Sequence, residues 1–387
     1  MSRAGQSKAP FIQLGSGHAQ YFIALTGRSL AFALGTWPLS HRWRWVERLL
    51  RYAPVSSTVL RAILPSFGFA IHKAKSKPLV VESDWNDREM VVATSWRGQQ
   101  GATTIFLFEA DERSPSVVAK LAPSSRRAAL RNEADKLDEL GPGARMSGAQ
   151  VPAVIRYSES EARCSLLLSC VPGRPASMVL RERPGAIAGV VGDISGWLNR
   201  WNAATAHQLE LTAEHYERFV LEPARAVAPD LESGAAYLDW LADACRRLSG
   251  RAVPFVCAHN DLTMSNILIA PEAPIGVVDW EEARLDGLPL ADFWYSACDA
   301  LLAAGHRDRL HAFAECFPTN SDRGALITSY ESELRSVVGG PPEWLDLCFH
   351  ACWMQHAANE QARPAGDDRP FLAIANRISK LALECSG

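Results

Sequence analysis

Four side chains in one stretch could carry out group-transfer chemistry. His259, Asp261 and Asn266 fall within His259-Asn260-Asp261-Leu262-Thr263-Met264-Ser265-Asn266, and Asp279 follows in Val277-Val278-Asp279-Trp280-Glu281. Phosphoryl transfer needs a carboxylate beside the attacking hydroxyl. It also needs an amide oxygen and a second carboxylate to hold magnesium on nucleotide phosphates. A loop from Asp261 to Asn266 can present both side chains to one cleft, and a short hairpin can bring Asp279 opposite Asn266.

The elements that must position these residues are legible in outline. Glu89–Ser95 and Ala102–Glu109 read as a strand pair around the polar turn Trp96–Gly101, and Val117–Leu121 as a third strand. Arg126–Leu140 reads as a helix closed by Gly141-Pro142-Gly143. Cys164–Ser169 reads as an apolar strand before the Pro172-Gly173 break. The second half is mostly helical, with Ile187–His207 and Ala235–Leu248 among its helices and a β-like island at Phe255–Trp280. Strands with one helix, then mainly helices, indicate a two-lobed α+β protein.

The paired motifs, HxDxxxxN and then an apolar pair with DxE, resemble the aminoglycoside phosphotransferase and choline kinase family of small-molecule kinases. The resemblance spans about residues 85–385. It implies a protein-kinase-like fold, with a small antiparallel-sheet N-lobe (81–168) and a mainly helical C-lobe (169–387). An extra basic, partly apolar segment (1–80) precedes them. It also implies Asp261 as catalytic base, His259 as brace of the catalytic loop, Asn266 and Asp279 as magnesium ligands, and Glu281 as an assisting acid. Asn260 stands where these enzymes usually carry glycine; asparagine accepts unusual backbone angles better than most residues. Asp292, in Gly287-Leu288-Pro289-Leu290-Ala291-Asp292, matches a structural aspartate expected to tie the metal-binding segment to the next helix.

In kinase-like lobes a strand lysine and a helix glutamate hold the nucleotide phosphates, and Lys120 and Glu133 are placed for this. Gly98 and Gly101 would let the Trp96–Gly101 turn approach phosphate, with Arg97 either touching phosphate or solvated. Ser169–Val171 matches the hinge that binds adenine through backbone groups. The expected cofactors are ATP or another NTP with Mg2+, and the expected acceptor is a small-molecule hydroxyl. A nucleotide-binding regulatory protein without turnover and a membrane-recruited scaffold are the competing classes.

Charge and cysteine usage bound the partners. The 387-residue chain has 40 Lys and Arg against 43 Asp and Glu, a net charge of −3 that excludes a uniformly basic nucleic-acid binder. Residues 1–80 hold eleven bases and a single acid, Glu47, for a net +10, leaving −13 on the remainder. Within them, His41–Tyr52 sets Trp45, Leu49 and Tyr52 at helical spacing beside a strip of Arg44, Arg48 and Arg51. Residues 20–77 could therefore touch an anionic membrane or a lipid-linked anionic substrate. Tyr21–Trp37 reads as a buried or interfacial helix, interrupted by Arg28 and too short to span a bilayer. Nine cysteines without a CxxC pair fit the reduced thiols of a cytoplasmic protein. Cys348, Cys352 and His356 recur every four residues, which suits a buried helix face better than a zinc site.

Overall fold

The computed structural model describes residues 114–317, 321–362 and 369–384 without interruption. It also describes residues 11–14, 19–24, 29–30, 32–33, 71–72, 89–95, 103–109 and 112. Gly98, Gly101, Arg97 and the His41–Tyr52 stretch lie outside these residues. The chain divides into two compact units, Met1–Gly141 with Val151–Arg174, and Pro142–Gln150 with Pro175–Gly387.

The first unit is built on an antiparallel sheet. Its strands are β1 (Phe11–Leu14), β2 (Ala19–Ala24), β3 (Ile71–His72), β4 (Glu89–Ser95), β5 (Thr103–Phe108), β6 (Val117–Pro123), β7 (Val154–Glu159) and β8 (Arg163–Ser169), in the order β3-β1-β2-β4-β5-β6-β8-β7. Ile105, Leu107, Ala119 and Leu167 form a core on which Met90, Val92, Val117 and Leu121 pack. Alternate residues share one face of a strand, so this set gives the sheet one apolar side.

The N-terminal segment differs from its sequence reading. Of the Tyr21–Trp37 stretch read as a helix, residues 21–24 belong to strand β2, which pairs with β4 and fully buries Ile23, while Ser29, Leu30, Phe32 and Ala33 are helical. The β-branched and aromatic residues of Tyr21-Phe22-Ile23 suit a strand once β4 offers an edge to pair with. Thus part of residues 1–80 is continuous with the sheet.

Helix α1 (Arg127–Met146) buries Leu130, Ala134 and Leu137 at helical spacing. It does not stop at Gly141-Pro142-Gly143 as that triplet suggests, but runs through it with Pro142 inside. Gly143 serves packing instead of termination: a Cβ there would sit 3.2 Å from the Trp201 ring.

In the second unit, strand Ala252–Ala258 lies between His207–Glu210 and Arg284–Gly287, and Ile267–Ile269 pairs with Gly276–Val277. Around them are α2 (Ala176–Glu182), α3 (Ile187–Thr205), α4 (Gly234–Leu248), α5 (Ala291–Ala303), α6 (Arg309–Cys316), α7 (Asp322–Val338), α8 (Pro342–Gln361) and α9 (Pro370–Glu384). Buried indoles satisfy backbone carbonyls near the central strand: Trp201 Nε1 donates to Cys257 O at 2.7 Å and Trp344 Nε1 to Pro254 O at 2.8 Å. A buried carbonyl left unpaired would be costly, so these tryptophans fix the strand as well as fill the core.

Cys348 and Cys352 are buried on α8, and His356 stacks on Tyr295 with centroids 3.9 Å apart. Among the described residues no three His, Cys, Asp or Glu side chains gather as a metal cage.

Candidate active site

The first unit supplies one ion pair. Lys120 on β6 donates from Nζ to both oxygens of Glu133 on α1, each at 2.7 Å. The Glu133 side chain is wholly buried and that of Lys120 is 17% exposed. A carboxylate taken out of water is tolerated only with such compensation. Lys120 is thereby held at one point in space. Ser169 is engaged in the sheet: its N–H donates to Ala153 O at 2.9 Å, and its Oγ accepts from Ala153 N at 2.8 Å. The Cys170 N–H donates to Ser116 O at 2.8 Å. Val171 follows, buried.

The second unit supplies the loop. It leaves strand Ala252–Ala258 at His259, which is fully buried. The Asp261 N–H donates to His259 Nδ1 at 3.3 Å, so Nδ1 carries no proton. The proton therefore sits on Nε2, which donates to Val278 O at 3.0 Å. A neutral His259 thus ties the loop to the segment carrying Asp279.

Asn260 adopts φ 62°, the left-handed region that favours glycine. Its N–H donates to Asp292 Oδ1 at 2.8 Å and its Nδ2 to Glu282 O at 2.9 Å. The asparagine therefore offsets the backbone cost with a bond that glycine lacks. Asp292, buried in the first turn of α5, also accepts from His259 N at 2.7 Å. Burial pushes its carboxyl up, against the two N–H donors. Its bonds go to the catalytic loop; the sequence reading had it tying down the metal-binding segment.

Asp261 and Asn266 meet as the motif requires. Asn266 Nδ2 donates to Asp261 Oδ2 at 3.1 Å and to Asp261 O at 2.9 Å. Burial, and then the neighbouring Asp279 carboxylate, push the Asp261 carboxyl up to about 7, while the Asn266 bond pulls it back. Asp299 and Glu282 add to the upward push. Asp279 itself has φ 69°, held next to the buried Trp280, and Glu281 follows, half-buried.

With Nδ2 committed to Asp261, the Asn266 amide oxygen is left as its acceptor. An amide oxygen with nearby carboxylates is a hard donor set of the kind magnesium takes alongside phosphate oxygens. Asn266 and Asp279 thus fit Mg2+ by chemistry, the Val278 N–H bond to Asn266 O bringing the Asp279 segment beside Asn266.

The sequence reading missed Asp299. It lies two turns beyond Asp292 on α5 and accepts the Met264 N–H on Oδ2 at 2.8 Å. The seven-residue interval between the two aspartates, on a segment already read as helical, was the available signal.

A kinase-like sheet lobe with a Lys–Glu pair and a helical lobe with this loop define a phosphotransferase. The model of the phosphotransferase enzyme family matches residues 98–319, more than half of the chain. The chain belongs to that family and is a small-molecule kinase. No curated protein matches the sequence. Similar solved structures include the aminoglycoside phosphotransferase APH(3'')-Id from Streptomyces rimosus with ADP and streptomycin. It is 20% identical, with a TM-score of 0.42, covering 67% of this chain and 94% of that one. A thermostable mutant of APH(4)-Ia with AMP-PNP and hygromycin B is 12% identical, with a TM-score of 0.46, covering 85% and 98%. At these scores they identify no acceptor for this chain.

Proposed function

We propose that the protein transfers the γ-phosphoryl group of ATP, or of another NTP, to a hydroxyl of a small molecule. The observation that carries this reading is the Asp261–Asn266 pair: Asn266 Nδ2 donates to Asp261 Oδ2 at 3.1 Å and to Asp261 O at 2.9 Å, which holds a half-buried carboxylate at one oxygen. A carboxylate so held can accept a hydroxyl proton during transfer and release it afterwards.

Asn266, Asp279 and Glu281 would hold Mg2+, which neutralises charge on the phosphate oxygens when bound. Lys120, fixed by Glu133, supplies a further positive charge to phosphate. The Ser169–Val171 segment is the proposed adenine contact. Because the Ser169 and Cys170 N–H groups are already used, that contact falls to the Val171 backbone and to carbonyls. Neutral His259 keeps Asp261 in register through the Asp261 N–H. Gly98 and Gly101 are proposed to line the phosphates.

The acceptor is to be found by a coupled nucleotide-turnover screen of hydroxyl-bearing metabolites, sugars and aminoglycosides with the full-length protein. A nucleotide-binding regulator without turnover would bind ATP yet give no single-turnover transfer to any of them.

We propose separately that residues 20–77 contact an anionic membrane or a lipid-linked anionic substrate. Its support is the net +10 of residues 1–80 with Trp43, Trp45 and Tyr52 among the arginines. Among the described residues no helix is long and apolar enough to cross a membrane. Flotation of the full-length protein with phosphatidylserine vesicles should fall as salt rises. Absence of binding at low salt would remove this part of the reading.

A further inference from the structure

We propose that Asp299 and Arg309 form a positioning dyad that fixes the far end of the catalytic loop. The proposal rests on the assignment of Asp261 and Asn266 given above. Met264 lies between these two residues, three positions after the base and two before the amide. Its peptide is held on both sides. The N–H donates to Asp299 Oδ2 at 2.8 Å, and the carbonyl accepts from Ser177 N on α2 at 2.9 Å. The Met264 side chain is fully buried, so the loop is pinned through side chain and backbone together.

The other Asp299 oxygen is equally committed. Oδ1 accepts from Arg309 Nη2, at the start of α6, at 2.8 Å. Both side chains are largely buried, at 13% and 14% exposure. A guanidinium–carboxylate bond is charge-assisted and among the stronger hydrogen bonds, so Arg309 holds the Asp299 carboxylate in the orientation that receives the Met264 N–H. Arg309 is itself seated over aromatic faces, 4.8 Å from the Phe371 centroid and 5.6 Å from that of Tyr295. Its place is therefore set by α5, α6 and α9, and it passes that rigidity to the loop through a single carboxylate.

Beyond the upward push of the Asp299 charge on Asp261, both residues act through the placement of Asp261 and Asn266, which the Met264 exchange readout isolates from charge. Misplacing a catalytic group by a fraction of a turn is enough to slow transfer on the order of a hundredfold without altering nucleotide affinity.

The test uses full-length Asp299→Ala, Asp299→Asn and Arg309→Lys beside the parent chain. Amide hydrogen exchange is read over residues 259–266, ATP turnover to water or to the screened acceptor is read as kcat and KM, and mant-ADP affinity as a control. Asp299→Ala should speed exchange at the Met264 amide about tenfold, the equivalent of one lost hydrogen bond. Asp299→Asn, which keeps an acceptor oxygen, should restore most of that protection. In Asp299→Ala kcat should fall while KM for ATP and mant-ADP affinity stay within about twofold. If Asp299→Ala does not fold, the Asn and Lys variants carry the same comparison at smaller amplitude. Unchanged Met264 exchange in every variant would overturn the dyad as a brace. Faster exchange with unchanged kcat would overturn its positioning role. If no variant, nor the parent, turns over ATP, the kinase reading fails while the exchange result still decides the brace.

Discussion

Asp292 and Asp299 stand two turns apart on α5 and hold the two ends of one loop: Asp292 takes the N–H groups of His259 and Asn260, and Asp299 takes that of Met264. Seven residues of helix advance about 10.5 Å, which sets the span over which the loop is stretched. Asp261 sits between the two clamps, and Asn266 bonds its carboxylate.

Asp279→Asn should raise the Mg2+ concentration needed for half-maximal nucleotide binding by about tenfold or more, as expected for loss of a charged oxygen ligand. Asparagine tolerates the left-handed backbone at this position, where φ is 69°, so the melting temperature should hardly move. A magnesium titration against mant-ATP reads the effect. An unchanged titration removes Asp279 from the metal site.

Lys120→Met should destabilise the protein by about 3–5 kcal/mol, because it leaves the buried Glu133 without its partner. The double variant Lys120→Met with Glu133→Leu should recover most of that loss and still fail to bind nucleotide tightly. Urea denaturation with a parallel nucleotide titration separates the two effects.

Asn260→Gly should fold and retain turnover, losing only the bond to Glu282 O. Asn260→Val should cost on the order of 1–3 kcal/mol through its left-handed backbone. Thermal melts of the pair check the order; equal stability would mean that the backbone relaxes out of that region.

His350 gives a pH dependence unrelated to catalysis. Burial lowers its pKa from 6.5 to about 4, and its Nδ1 shares a 2.8 Å hydrogen bond with the OH of Tyr237, which burial holds protonated. The unfolded chain takes up a proton below pH 6.5 that the folded chain refuses until about pH 4. Stability is thus highest above 6.5 and is lost as pH falls. The loss from this group between pH 7 and pH 5 is about 2 kcal/mol. His350→Asn keeps an acceptor for Tyr237 and should flatten the slope of stability against pH over that range.

The chemistry was more legible than the scaffold that aims it. Lys120, Glu133, His259, Asp261, Asn266 and Asp279 could be picked out because residue type and spacing both constrain them. Strands β4, β5 and β6 were legible from apolar runs bounded by turns. Two features were not. Gly141-Pro142-Gly143 looks like a stop, but packing of Gly143 on Trp201 is a tertiary contact that local propensity does not encode. Strand β2 depends on an edge supplied by β4, some seventy residues later, so its apolar residues alone fit a helix equally well. Asp299 is marked in the sequence only by its seven-residue spacing from Asp292, because it meets the loop through a backbone N–H, which belongs to no motif.

The most direct test of the central claim is a single-turnover transfer from γ-labelled ATP to the acceptor found by the screen. It compares the parent chain with Asp261→Asn in the presence of Mg2+. The account predicts label on an acceptor hydroxyl with the parent chain, and a rate lower by about 10²–10⁴-fold in the variant, with mant-ADP affinity preserved. Transfer by Asp261→Asn at the parent rate would contradict it.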